Sequence, residues 1–402
     1  MKIVNRLKLI LTNVYMAVLS LFWKKDDTII VVGAWMGERF ADNPRFLFQY
    51  LSENKEKLGL SHVIWVTHSE KIIDMIRGMG YEAEKLGTKE SIQYHKLAGY
   101  HICNNTPSGS KGNKNELDAK YSFRAKRINL WHGIGIKGGV FCSNEYLKKK
   151  KQHPFRCMIN EKLLNIKVYR AFMTELGGWG DCYWLTTTPA FTHYLHSWML
   201  GPYNHYLELD YPRNQECLKY TEEEKRIISI IRQHNKSAIY LPTYRADKTK
   251  FDINSLYNAI SDGLLTHDIL WIQKAHSIDK GEETNLYENI LTLESGFDVN
   301  VLYPFVSVVI TDYSSVSPDA VYHNIPVIYY VPDWNDYAIS DRGFIEKPDD
   351  FMAGPVVTKP EEVLQNIITL PELDEHYYHI KERYWKPHMT YLDIWNGIKD
   401  LT

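Results

Sequence analysis

Short runs of β-branched and aromatic residues recur along this 402-residue chain, and helical patterns separate most of them. In the first half the runs fall at residues 28–33, 62–67, 101–104, 128–131 and 183–187, with helical patterns such as 44–57 and 69–79 between them. In the second half they fall at 238–241, 269–273, 290–293, 306–311 and 327–330. Parallel strands need a long crossover, and a helix supplies it, so this alternation implies parallel sheets covered on both faces. The expected class is α/β in two halves. The expected divisions are a 1–25 segment, a first domain over 26–212, a second over 213–375, and a tail over 376–402 that crosses back to the first half.

The run that ends at Thr311 leads into Asp312 and two adjacent hydroxyls, Ser314 and Ser315, before a short helical pattern and the next run. Free backbone N–H groups and hydroxyls beyond the carboxyl end of a strand suit an anionic phosphate ester. An ordinary serine-capped helix would have the same local sequence. A second strand end carries Trp131-His132-Gly133, followed by further glycines and Lys137. An imidazole there faces the crevice where such folds bind ligands, and its ordinary pKa suits proton removal from a hydroxyl. Thr243-Tyr244-Arg245 follows a third strand, and Lys274-Ala275-His276 closes a fourth. Arg245 can hold a phosphate through two nitrogens. Four strand ends carrying phosphate-compatible or proton-transfer groups point to phosphate chemistry.

Composition narrows the class. Hydrophobic residues make up 44% and charged residues 24%, enough for a substantial core. A formal net charge of −2 argues against a general nucleic-acid binder. The five cysteines show no C-x-x-C spacing, which fits a reducing, cytosolic setting. No set of side chains has metal-ligand spacing, so no protein-held metal or cofactor is expected, beyond a Mg²⁺ ion loosely bound to a donor. Residues 7–23 are mostly apolar, with Lys2, Arg6 and Lys8 on one side and Lys24 and Lys25 on the other, yet they include Thr12, Asn13 and Ser20. That run is too short and polar to span a bilayer comfortably, and it reads as a helix lying on an anionic membrane surface. A helix packed on the protein's own core is the alternative. The basic, aromatic stretch over 144–184 offers a second surface of the same kind.

The order WHG…K from Trp131 to Lys137, YPRN from Tyr211, PTYR from Pro242, KAH from Lys274, TDYSS from Thr311, a D-x-x-Y-x-x-x-x-RGF pattern from Asp333 and Gly354-Pro355 resembles the CDP-glycerol glycerophosphotransferase family of teichoic acid synthesis. Asp42-Asn43-Pro44-Arg45 is similar to that family's N-terminal region. The resemblance implies a GT-B-like fold, two Rossmann-like domains facing a cleft, with a membrane-associating N-terminal helix on the cytoplasmic face. It implies His132 as the base, His276 as the second catalytic histidine, and Gly133 and Lys137 on the acceptor side. Thr243, Arg245, Asp312, Ser314, Ser315 and Asp319 then fall around a CDP-polyol donor. The implied partners are that donor, a lipid-linked glycan or polyol-phosphate acceptor and the membrane. The chain departs from the family pattern at Ile134-Gly135-Ile136, Asp210, His276-Ser277 and Ser317-Pro318, which leaves polyol and acceptor open. Two other readings stay open: a GT-B glycosyltransferase using a nucleotide sugar, and a non-catalytic scaffold of a polymer-assembly complex.

Overall fold

A computed structural model describes residues 2–105, 114–135, 144–164, 166–173, 182–199, 205–243, 253–274, 288–334, 347 and 350–401. The chain forms two compact units. The first comprises Met1–His132, Asn144–Lys219 and Lys386–Thr402, and the second Gly133–Ser143 and Tyr220–Trp385.

The first unit carries β1 (Asp26–Val32), β2 (His62–Thr67), β3 (Glu82–Lys85), β4 (Ala98–Cys103), β5 (Lys126–Asn129), β6 (Tyr183–Thr186) and β7 (His205–Glu208). They form one sheet in the order β3-β2-β1-β4-β5-β6-β7, and every pairing is parallel. The second unit carries β8 (Lys236–Tyr240), β9 (Ile269–Lys274), β10 (Ile290–Leu293), β11 (Val308–Thr311), β12 (Val327–Tyr330) and β13 (Val356–Val357), in the parallel order β10-β9-β8-β11-β12-β13. Each sheet therefore grows outward in both directions from its first strand. The crevice that this leaves at the carboxyl ends, between β1 and β4 and between β8 and β11, is where doubly wound sheets bind ligands.

The central strands are continuous apolar runs because both faces are covered. Ile30, Val31 and Val32 are fully buried. Phe40, Phe48, Trp65 and Tyr81 pack edge to face beside β2. In the second unit Trp271, Ile310 and Ile328 share a core with Leu256, Ile260, Val363 and Ile367 of the flanking helices. The three strands that the sequence did not suggest, β3, β7 and β13, all lie at sheet edges. Edge strands need little apolar burial, and β3, sequence Glu-Ala-Glu-Lys, buries only Ala83.

The passage between units falls after Lys219, later than the expected 212, because Pro212–Asn214 is bonded to the first unit's sheet end. The tail divides: Glu375–Tyr384 belongs to the second unit, where Trp385 donates to Pro318, and Tyr391–Lys399 to the first, where Tyr391 stacks on Tyr50.

Gly33 ends β1 with no space for a side chain. A Cβ there would lie 2.2 Å from the Glu116 carbonyl oxygen. Gly78, at the end of the Glu70–Gly78 helix, has nothing within 4 Å. Gly33→Ala should therefore cost about 1–3 kcal/mol in urea unfolding, with Gly78→Ala close to neutral.

Candidate active site

In the first unit the carboxyl ends of β1, β4 and β5 converge on His132. Strand β5 stops at Asn129, earlier than the sequence suggests, and Trp131 turns into the left-handed region at φ 56°. Trp35, Met36 and Asp42, in the segment after β1, share that conformation at φ 45°, 58° and 67°. Each such residue costs on the order of 1–3 kcal/mol and persists only where its surroundings fix it.

A buried polar network fixes these. Arg213 and Asp42 form an ion pair at 2.5 Å with both side chains 3% exposed. The same Arg213 nitrogen donates to the His132 carbonyl at 3.0 Å. Asn43 Nδ2 donates to the carbonyls of Leu130 and Trp131 at 3.0 and 3.2 Å, and Asn43 Oδ1 accepts from the Arg213 N–H. Asp42 Oδ2 accepts from Asn104 Nδ2 at 2.9 Å and from the Trp35 indole at 3.2 Å. Asp210 holds the turn below, accepting from the Tyr211 N–H and from Asn214. Asp42-Asn43 and Tyr211-Pro212-Arg213-Asn214, 168 or more residues apart, are thus one structure whose centre is the His132 backbone. Arg45 serves differently: buried over the Phe40 ring, it donates to the Lys219 carbonyl.

His132 itself is partly buried between two indoles, with ring centroids 5.6 Å from Trp35 and 4.4 Å from Trp131. Its Nδ1 lies 3.0 Å from the Asn104 carbonyl oxygen. A carbonyl only accepts, so Nδ1 carries the proton and Nε2 keeps its lone pair. Burial holds the imidazole below its usual range, and Arg213 adds to this; the Asn104 carbonyl and Asp42 oppose it. The ring is a neutral base with the correct nitrogen free.

In the second unit the ends of β8 and β11 are tied together. Asp312 is fully buried, and its Oδ1 accepts from the Thr243 N–H at 2.8 Å, the Thr243 hydroxyl at 2.7 Å and the Tyr313 N–H at 2.5 Å. Thr311 Oγ1 donates to the Leu241 carbonyl at 2.8 Å. Ser315 precedes the Val316–Tyr322 helix at φ −67°, ψ 0°, and its side chain does not cap it. The hydroxyls of Ser314 and Ser315 are partly exposed and bond to no described residue, unlike those of a capped helix. Gly133, which clusters with this unit, lies close: a Cβ on it would sit 3.0 Å from Ser315 Oγ.

Asp319 is buried on the same helix. Ser317 and Pro318, where the chain departs from the family pattern, face inward: Ser317 bonds the Tyr329 hydroxyl, and the Pro318 carbonyl accepts from Trp385. Both are packing positions. Lys137, Arg245 and His276 lie outside the described residues. Sequence reasoning missed Asp42, Asn43 and Arg213 as parts of the site and took them only as marks of resemblance. It missed Asn104 and Glu116 altogether.

Two doubly wound units with polar groups at both switch points define an α/β architecture of the nucleotide-binding type. Residues 14–394 match the family described as CDP-glycerol:poly(glycerophosphate) glycerophosphotransferase. The chain belongs to that family and is a CDP-glycerol glycerophosphotransferase. It is 22% identical over 381 residues to a teichoic acid poly(glycerol phosphate) polymerase of Bacillus spizizenii, covering 91% of this chain and 90% of that one. It is 24% identical over 391 residues to a teichoic acid glycerol-phosphate transferase of Staphylococcus aureus, covering 92% and 91%. A solved structure of the wall teichoic acid polymerase TagF shares the fold with a TM-score of 0.62 at 20% identity, over 99% of this chain and 97% of that one.

Removing one partner of a buried ion pair strands the other charge. Arg213→Met should cost about 3–5 kcal/mol in denaturant unfolding. Arg213→Met combined with Asp42→Asn, which removes both charges, should recover part of that loss.

Proposed function

We propose that this chain transfers glycerol phosphate from CDP-glycerol to an acceptor hydroxyl in teichoic acid biosynthesis, releasing CMP. Family membership carries the donor and the reaction, and it decides against the nucleotide-sugar and scaffold readings. The geometry around His132 supports the mechanism: a neutral imidazole with Nδ1 committed and Nε2 free.

In this reading the two units are the halves of a GT-B enzyme, with the acceptor entering through the first and the donor held by the second. His132 Nε2 takes the proton of the acceptor hydroxyl. The oxygen attacks the glycerol-bearing phosphorus, and the bond from that phosphorus to the bridging oxygen breaks, so CMP leaves with the electron pair. Arg245, Ser314, Ser315, Thr243 and Lys137 hold the pyrophosphate and offset charge on the transferred group. His276 donates to the leaving CMP. Asp312 takes a positioning role, because its carboxylate grips Thr243 and would repel a phosphate. Asp319 orients donor hydroxyls. The step uses no resident cofactor.

We further propose that the acceptor is lipid-linked and that the enzyme works on the cytoplasmic membrane surface. Among the described residues no helix is long and apolar enough to cross a membrane. The Lys2–Ser20 helix has two faces. Asn13, Met16 and Ser20 are buried, Asn13 Nδ2 donates to the Phe172 carbonyl, and Arg124 donates to the carbonyls of Ser20 and Trp23. Leu7, Leu11, Tyr15 and Val18 form the other, exposed face, and Leu21 and Phe22 extend it. Phe155 and Val168 are exposed on the neighbouring helices, and Lys148, Lys149, Lys150 and Lys151 are exposed beside them. Apolar side chains rimmed by lysines match an anionic lipid surface.

His132→Ala should lower kcat about 10²–10⁴-fold and leave CDP-glycerol affinity unchanged by calorimetry. The unprotonated ring is the active form and its folded pKa lies below 6.5, so wild-type activity should rise with pH through an inflection below 6.5. A rate profile with no inflection below 6.5, or full activity in the folded variant, would remove His132 from this role.

Replacing Leu11, Val18 and Phe22 together with Ser should weaken co-sedimentation with phosphatidylglycerol vesicles about tenfold or more, with an unchanged thermal melt. Wild-type binding should fall as salt rises. Equal binding by the two proteins would place the contact elsewhere.

A further inference from the structure

We infer that Glu116 is a positioning residue for His132, acting through the single peptide group that joins Asn104 to Asn105. That peptide's carbonyl accepts from His132 Nδ1 at 3.0 Å, and its N–H donates to Glu116 Oε2 at 3.1 Å. One planar amide therefore stands between a carboxylate and the imidazole, polarised from one side and used from the other. The other oxygen, Oε1, accepts from the Met36 N–H at 3.1 Å. Met36 is one of the left-handed residues, and its neighbour Trp35 packs on the His132 ring. One fully buried carboxylate thus fixes both backbone segments against which the imidazole rests.

The inference rests on His132 as the base, and it assigns a group that the reaction itself does not call for. A carboxylate on a peptide N–H makes the carbonyl of the same peptide a stronger acceptor, since hydrogen bonds in series polarise one another. A stronger bond at Nδ1 holds the tautomer and raises the basicity of Nε2, as a carboxylate does when it touches the ring directly. When the acceptor's proton arrives at Nε2 the ring becomes a cation with both nitrogens protonated. Nδ1 keeps its proton, none crosses the peptide, and Glu116 stabilises the cation through the amide dipole.

The charged and titratable groups around this line are few. The Cys103 thiol neighbours Glu116, and Asp42 and Arg213 face His132. Burial pushes Glu116 up to about 7, against the pull of the N–H groups of Met36, Asn105 and Asn104 and of Cys103. Its charge therefore changes in the range where the enzyme would work.

The test is a ¹⁵N titration of the His132 ring in the full chain between pH 5.5 and 8.5, for the wild type and Glu116→Gln, with steady-state kinetics on both. The wild-type ring nitrogens should show their own transition below 6.5 and a second inflection near pH 7, which Glu116→Gln abolishes. Glu116→Gln should lower kcat on the order of 10-fold and leave KM for CDP-glycerol unchanged, because the donor's groups are not involved. Glu116→Asp, which keeps the charge, should restore the second inflection and part of kcat. It also serves if the Gln variant does not fold. Ring shifts with one inflection in the wild type, or identical in the wild type and Glu116→Gln, would overturn the inference even if kcat falls. The spectra report on the coupling alone, so an active His132→Ala protein would remove the base and leave this result readable.

Discussion

Arg213 and Asp42 meet out of water, and the geometry of the first unit's sheet end follows from that contact. A buried charge is tolerable only when it is paired and further bonded. Asp42 meets this condition with Arg213, Asn104, Trp35 and the Asn43 N–H, and Arg213 meets it with Asp42 and the His132 carbonyl. Because these partners come from several segments, satisfying the pair fixes the segments after β1, β4 and β5 at once. The left-handed turns at Trp35, Asp42 and Trp131 are held by these bonds. His132 is placed by its neighbours' hydrogen bonds more than by its own side chain.

The two units solve the same topological problem with different chemistry. In each, the first strand lies beside the fourth, and the loops leaving those strands diverge to open a crevice. In the first unit the crevice is lined by a neutral imidazole between indoles, suited to moving a proton. In the second, a buried carboxylate ties the two loops together and leaves two serine hydroxyls uncommitted. A hydroxyl that capped its own helix would be spent; these are free to meet phosphate oxygens.

Much of this was legible in the sequence because it is periodic. Apolar runs such as Ile29–Val32 and Val308–Thr311 must be buried on both faces, and that dictated parallel sheets. The strand-end histidine and serines stood out because polar groups follow apolar runs abruptly. The edge strands were not legible, since a strand such as Glu82–Lys85 carries no apolar signature. Nor was the left-handed turn at Trp131, because tertiary bonds impose it against local preference. Asp42 and Arg213 are far apart in the chain, and no spacing rule pairs them. Glu116 lies in an irregular segment, and only the folded chain shows that its carboxylate reaches the peptide beneath His132.

The departures from the family pattern also take on physical meaning. Ser317 and Pro318 face the core, so the departure there is a change of packing. Asp210 closes the turn that presents Arg213. Neither change engages the Ser314 or Ser315 hydroxyls. The most direct measurement is nucleotide release from a panel of CDP-glycerol, CDP-ribitol and UDP- and CMP-sugars, in the presence of membranes bearing lipid-linked acceptor. The account predicts CMP release from CDP-glycerol in step with glycerol phosphate appearing in the lipid fraction, and none from the sugars. Nucleotide release from a sugar donor, with CDP-glycerol left intact, would contradict it.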